Sequence, residues 1–148
     1  MRRLYFDANY LGKLQWQERG TAEVIACASQ ADEIATALHG RAEFYSLGHR
    51  KVREGTATAT IVQSVFAQFN TESAAGKIAF LPLTEAILDR VESAFATAPA
   101  TTYLRAADAL HLATAVENGF TEIHSNDKHL LATAPLFGLR GVNVIPAL

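Results

Sequence analysis

Arg3-Leu4-Tyr5-Phe6-Asp7-Ala8-Asn9-Tyr10-Leu11-Gly12 reads as a short apolar strand that stops at an acid and runs directly into a helix. Such a strand-to-helix junction opens a βα unit, and the same rhythm continues outward from it. Thr21 to Ser29 has helical patterning, Glu33-Ile34-Ala35-Thr36 is short enough for a buried second strand, and Leu38 to Arg53 is a helix. A longer amphipathic helix over residues 57 to 75 repeats Ile61, Val62, Val65, Phe66 and Phe69 at three- and four-residue spacing, and Gly76 ends it. Ile78 to Leu83 is the next strand, and Thr84 opens a helix through Ile87, Leu88, Val91 and Phe95. After the Pro99 loop, Tyr103 to Asn118 is helical, closed by Asn118-Gly119 as a left-handed cap would close it. Phe120 to Ser125 is a strand, Asp127 to Ala134 a short helix, and Gly141 to Ile145 a last strand. Alternation without two-residue hairpin signals predicts an α/β fold, a three-layer α/β/α sandwich around a mostly parallel sheet.

The 148 residues suit one domain, with no linker or internal repeat to divide it. A chain 49% hydrophobic and 19% charged is neither disordered nor a disulfide scaffold. Cys27 is the single cysteine, and only three apolar residues separate Arg2-Arg3 from Asp7. The expectation is a reducing cytoplasm, with no signal peptide and no membrane span. Thirteen Lys and Arg against 15 Asp and Glu give a net charge of −2, so no overall basic field advertises nucleic acid. The cations are unevenly spread, however: Arg41, Arg50, Lys51 and Arg53 share a stretch with His49, and Arg105 follows later. They are candidates for a local basic rim or for an ordinary solvated helix face.

In open parallel sheets ligands gather at the carboxyl ends of strands, where Asp7 and Asp127 both fall. Each also suits a helix N-cap, which implies no chemistry. Asp108 lies among small and apolar neighbours one turn into its helix, and Glu43 sits early in its own. Four carboxylates sharing one pocket would repel unless a cation compensated, and oxygen-only ligation selects Mg²⁺ or Mn²⁺. No zinc pattern competes, because the histidines at 39, 49, 111, 124 and 129 show neither HExxH nor Cys-pair spacing. His111, three residues after Asp108, is read as divided between packing and solvent.

Periodicity does not bring the four acids together; a resemblance does. Arg105-Ala-Ala-Asp108-Ala-Leu-His-Leu-Ala-Thr-Ala-Val-Glu-Asn-Gly119 followed by Ser125-Asn126-Asp127-Lys128-His129-Leu130-Leu131 resembles the third and fourth acidic motifs of the PIN-domain ribonucleases, in particular the VapC-type toxins. Leu4 to Asn9 resembles the first motif and Arg41-Ala42-Glu43-Phe44 the second. The resemblance implies that Asp7, Glu43, Asp108 and Asp127 are the catalytic metal ligands for one or two Mg²⁺ or Mn²⁺ ions. Asn9 and Ser125 would be polar neighbours orienting them, and Arg41, Arg50, Lys51 and Arg105 candidates for RNA contact. It further implies hydrolysis of RNA phosphodiesters with water as nucleophile, a small antitoxin partner and a homodimer, with the helix of residues 57 to 75 as a candidate surface. Other readings stay open: a housekeeping RNA-processing nuclease, an acidic-pocket receiver-like domain, or a non-enzymatic interaction domain.

Overall fold

Leu4 and Phe6 are buried in one apolar cluster and Tyr5 in another, so the first strand is covered on both faces. In the computed structural model, which describes residues 1–148, this strand, β1 (Arg3–Tyr5), is the middle of the sheet. One edge pairs in parallel with β2 (Glu33–Ala37), Leu4 opposite Ile34, and β2 pairs in parallel with β3 (Ile78–Leu81). Along the other edge an isolated parallel bridge joins Phe6 to His124 of β4 (Glu122–His124), which pairs with β5 (Arg140–Val142). The spatial order is β3-β2-β1-β4-β5, all parallel.

Helices α1 (Ala8–Gln15), α2 (Thr21–Ala28), α3 (Gly40–Arg53) and α4 (Ala59–Ala74) form one outer layer. They pack over Leu4, Phe6, Ile34 and Ile78, using Tyr10, Leu11, Val24, Phe44 and Phe69. The other layer holds α5 (Glu85–Thr97), α6 (Ala106–Glu117) and a 3₁₀ turn (Ala134–Phe137), packed over Tyr5, Ala37 and Ile123. The short α7 (Lys128–Thr133) leads into that turn. This is the expected α/β/α sandwich. Small buried residues Ala109, Ala113 and Ala115 bring α6 close to the sheet. No helix is long and apolar enough to cross a membrane.

Several boundaries differ from the sequence reading. The strand at Ile78 stops at Leu81, because Pro82 has no N–H to give the ladder. Helix α6 starts at Ala106 and not Tyr103, with Arg105 extended at its N-cap (φ −96°, ψ 153°). The strand expected over Phe120 to Ser125 shrinks to Glu122–His124, and the last strand runs Arg140–Val142, starting one residue before and ending three residues before the expected Gly141 to Ile145. The apolar row of α4 is mostly core: Phe69 is buried, Val65 and Phe66 pack against the same cluster, and Ile61 alone is exposed. Its periodicity reports burial of the helix, as apolar periodicity usually does.

Phe44 and Phe69 hold α3 to α4, stacked with centroids 3.8 Å apart and planes at 16°. Gly48 permits the approach, since a Cβ there would lie 2.5 Å from Phe66 Cε1. Replacing Phe44 by Ala leaves a cavity in a close-packed layer, and we expect a loss of about 3 to 5 kcal/mol. Urea unfolding should show a lower midpoint at unchanged slope; a loss under about 1 kcal/mol would contradict this packing.

Candidate active site

Asp7 follows β1 directly and caps α1, its Oδ1 accepting the Tyr10 N–H at 3.0 Å. Its Oδ2 accepts the buried Ser125 hydroxyl at 2.5 Å. Ser125 Oγ in turn accepts the Asp127 N–H at 2.9 Å. Asp127 caps α7 with Oδ1, which takes the N–H groups of His129 (2.8 Å) and Leu130 (3.2 Å), and leaves Oδ2 for Arg105 at 2.7 Å. The cap reading of both aspartates is therefore correct, and it does not exclude a site. Capping occupies one oxygen and fixes the direction of the other.

Asp108 lies in the first turn of α6 and accepts from Arg105 Nε at 2.9 Å. Glu43 lies in the first turn of α3 and meets His111 Nε2 at 2.5 Å. These four acids, drawn from four segments, line a single cavity of about 360 Å³ with Asn9, Arg50, Arg105 and His111. Both Asp7 and Asp108 are buried, so the carboxylates sit where water screens them poorly.

His111 corrects the sequence reading. It is 1% exposed, not shared with solvent, because its Nδ1 lies 2.7 Å from the buried Tyr5 hydroxyl while Nε2 meets Glu43. His39, at the N-cap of α3, approaches from the other side, its Nε2 3.4 Å from Glu43 Oε1 and 3.1 Å from the Ala107 carbonyl. Both histidines had a helical signal available: His39 precedes Glu43 by four residues and His111 follows Asp108 by three, each pair on one helix face.

The candidate cations divide. Arg50 lines the cavity and makes no ion pair, whereas Arg105 spans Asp108 and Asp127. Arg41 is outside the cavity, its guanidinium 5.5 Å from the Phe80 ring centroid. Two residues along a helix turn about 200°, so Arg41 cannot share the face of Glu43, while Arg50, seven residues on, does. Lys51 lines only a neighbouring cleft and is paired with Glu18 at 2.9 Å.

Electrostatics set the acids apart. Burial pushes the Asp7 carboxyl up to about 6, against the hydrogen bonds from Ser125 and Tyr10. Burial also opposes ionisation of Glu43, but the His111 hydrogen bond and the imidazoles and Arg105 nearby outweigh it and lower its pKa. Asp127 is lowered too, burial being overcome by the Leu130 and His129 amides and by Arg105. Burial, then the neighbouring His111, keeps the His39 pKa below its ordinary value.

A family model described as the PIN domain matches residues 4–135. The chain belongs to the PIN domain family. Among solved structures it is similar to the Mycobacterium tuberculosis toxin VapC20, described as cleaving the sarcin-ricin loop, at 13% identity and a TM-score of 0.67, over 88% of this chain and 94% of that one. A structure of FitAB bound to an IR36 DNA fragment matches at 15% identity and a TM-score of 0.62, over 98% of this chain and 97% of that one. No curated protein sequence matches significantly. At such identities the two structures speak for the fold of this PIN domain alone.

Because the Asp7 pKa in the fold lies above its ordinary 3.8, the stability it contributes is complete below about pH 4 and is lost as pH rises through about 6. Asn at this position still caps α1 and carries no charge. In EDTA, Asp7→Asn should therefore gain stability over the wild type between pH 4 and 7, by on the order of 1 to 3 kcal/mol. Thermal melts across that range test this, and parallel curves for the two proteins would overturn it.

Proposed function

We propose that this PIN domain is a Mg²⁺- or Mn²⁺-dependent endoribonuclease and acts in the cytoplasm as the toxin of a type II toxin–antitoxin pair. The observation that carries the reading is the convergence of Asp7, Glu43, Asp108 and Asp127 in one cavity at the carboxyl ends of the strands. The donor set fits a hard divalent cation. It consists of carboxylate oxygens, and a cation already answers it, since the Arg105 guanidinium bridges Asp108 and Asp127. Burial makes Asp7 reluctant to ionise, and a bound cation would favour its charged form.

The four acids would hold one or two ions, which when bound would polarise the scissile phosphate and favour attack by water. Ser125 holds the Oδ2 face of Asp7, and the imidazole of His111 keeps Glu43 ionised and aimed. Arg50, unpaired at the rim, is suited to a neighbouring phosphate, and Arg105 can exchange its carboxylates for phosphate once a metal supplies the charge. Arg41 and Lys51 have no such placement. Unpaired or looped RNA is the substrate class, because splayed bases free the backbone to enter a cavity of this size. The similarity to a toxin described as cleaving the sarcin-ricin loop supports that choice. Partners on this reading are a small antitoxin, which blocks the acids with a basic side chain as Arg105 already does in part, and a second copy of the chain.

Asp7→Asn and Asp108→Asn should each lower cleavage of single-stranded RNA by about 100-fold or more with the fold retained by circular dichroism. EDTA should stop the wild-type enzyme, and Mn²⁺ or Mg²⁺ restore it. Full activity in either variant removes that residue from the site, and undiminished cleavage in EDTA refutes the metal mechanism.

A further inference from the structure

Glu43 stands between two unlike donor sets. On one side are the oxygens of the three aspartates; on the other are the imidazoles of His39 and His111. We propose that His39, His111 and Glu43 form a second cation site that takes a borderline transition-metal ion, Zn²⁺ first among them, and that filling it draws Glu43 away from the aspartates.

One nitrogen from each histidine and one Glu43 oxygen all lie within 4.8 Å of one another. Ligand atoms about 2.0 to 2.1 Å from a tetrahedral ion stand roughly 3.4 Å apart, and the His39 Nε2 to Glu43 Oε1 separation is already 3.4 Å. The His111 Nε2 to Oε1 contact, 2.5 Å with a proton between them, must open by roughly 0.9 Å to reach that spacing. Glu43 has the freedom for this, with a third of its side chain exposed, whereas His111 does not need to move. Two imidazole nitrogens and one carboxylate select Zn²⁺, Co²⁺ or Ni²⁺ over Mg²⁺, the reverse of the all-carboxylate preference beside them.

The buried surroundings support ligation. Tyr5 holds Nδ1 of His111 at 2.7 Å and so aims Nε2 at Glu43, as oxygen partners behind metal-bound histidines do. When Nε2 of His111 ligates, its proton leaves and Nδ1 takes one up; His39 Nε2 must likewise give up the proton it donates to the Ala107 carbonyl, with Nδ1 of that ring taking one up, so neither histidine releases a proton on balance. Nδ1 then donates to the Tyr5 oxygen, which already accepts the Ala37 N–H at 3.0 Å. The Tyr5 hydroxyl proton must turn elsewhere, and the neighbouring Thr36 hydroxyl, buried and without any partner, is there to accept it.

The coupling to the aspartates rests on the metal-nuclease reading; the site itself does not. Titrating the metal-free full-length protein with Co²⁺ should give the intense visible absorption of four- or five-coordinate Co²⁺ at one equivalent, displaced by Zn²⁺. His39 has 28% of its side chain exposed and belongs to neither apolar cluster, and His39→Ala should weaken this binding at least tenfold, with Asp7→Asn leaving it intact. Zn²⁺ should also weaken Mn²⁺ binding, read by electron paramagnetic resonance, in the wild type and not in His39→Ala. A pale octahedral Co²⁺ spectrum, or one unchanged in His39→Ala, overturns the site. If Asp7→Asn keeps RNA cleavage while the Co²⁺ spectrum behaves as expected, the nuclease reading fails and this site stands.

Discussion

The Ser125 hydroxyl donates to Asp7 and accepts from the backbone of Asp127, and so ties together the carboxyl ends of β1 and β4. The ladder between those two strands is a single isolated bridge, Phe6–His124, where the Asp7 N–H donates to the His124 carbonyl at 3.1 Å. Where the ladder is this thin, a side-chain link decides the spacing of the strand ends. That spacing sets how far apart α1 and α7 begin, and thus how far apart their capping acids lie. Because Ser125 is fully buried from solvent, bulk water does not compete for the bond, and the geometry is correspondingly stiff.

A second polar thread crosses the sheet's other side, from Ala37 through Tyr5 and His111 to Glu43. It pins the one candidate ligand that comes from a flexible, partly exposed side chain. The two threads differ in consequence. Ser125 offers neutral hydrogen bonds to an acid that burial keeps hard to ionise, while His111 holds an acid in its charged form. One cavity therefore contains carboxylates with opposite pKa displacements, which is the usual mark of a site arranged for chemistry rather than for stability alone.

Much of this was readable locally. Strand and helix follow from runs such as Leu4-Tyr5-Phe6 and from the caps Asp7, Thr84 and Asp127, all set by neighbours in the chain. Strand-end position singled out Asp7 and Asp127 for the same reason. Where local reading went astray, distant partners were responsible. Tyr103 looked helical until Arg105 turned out to be extended, its side chain committed to Asp108 and Asp127. Arg41 and Arg50 looked alike as charges, and only their angle around α3 distinguishes them.

The order of elements and the parallel sheet follow from the sequence alone, because strand and helix periodicities and capping chemistry act over a few residues; strand-end position marks Asp7 and Asp127, and the resemblance to the PIN family adds Glu43 and Asp108 as candidate acids. Their convergence was decided by tertiary structure. His111 meets Tyr5 across 106 residues and Glu43 across 68, and Ser125 meets Asp7 across 118. Such contacts exist only after two helical layers have closed on the sheet. Burial and hydrogen bonding then assign each titratable group a charge that no stretch of sequence carries by itself.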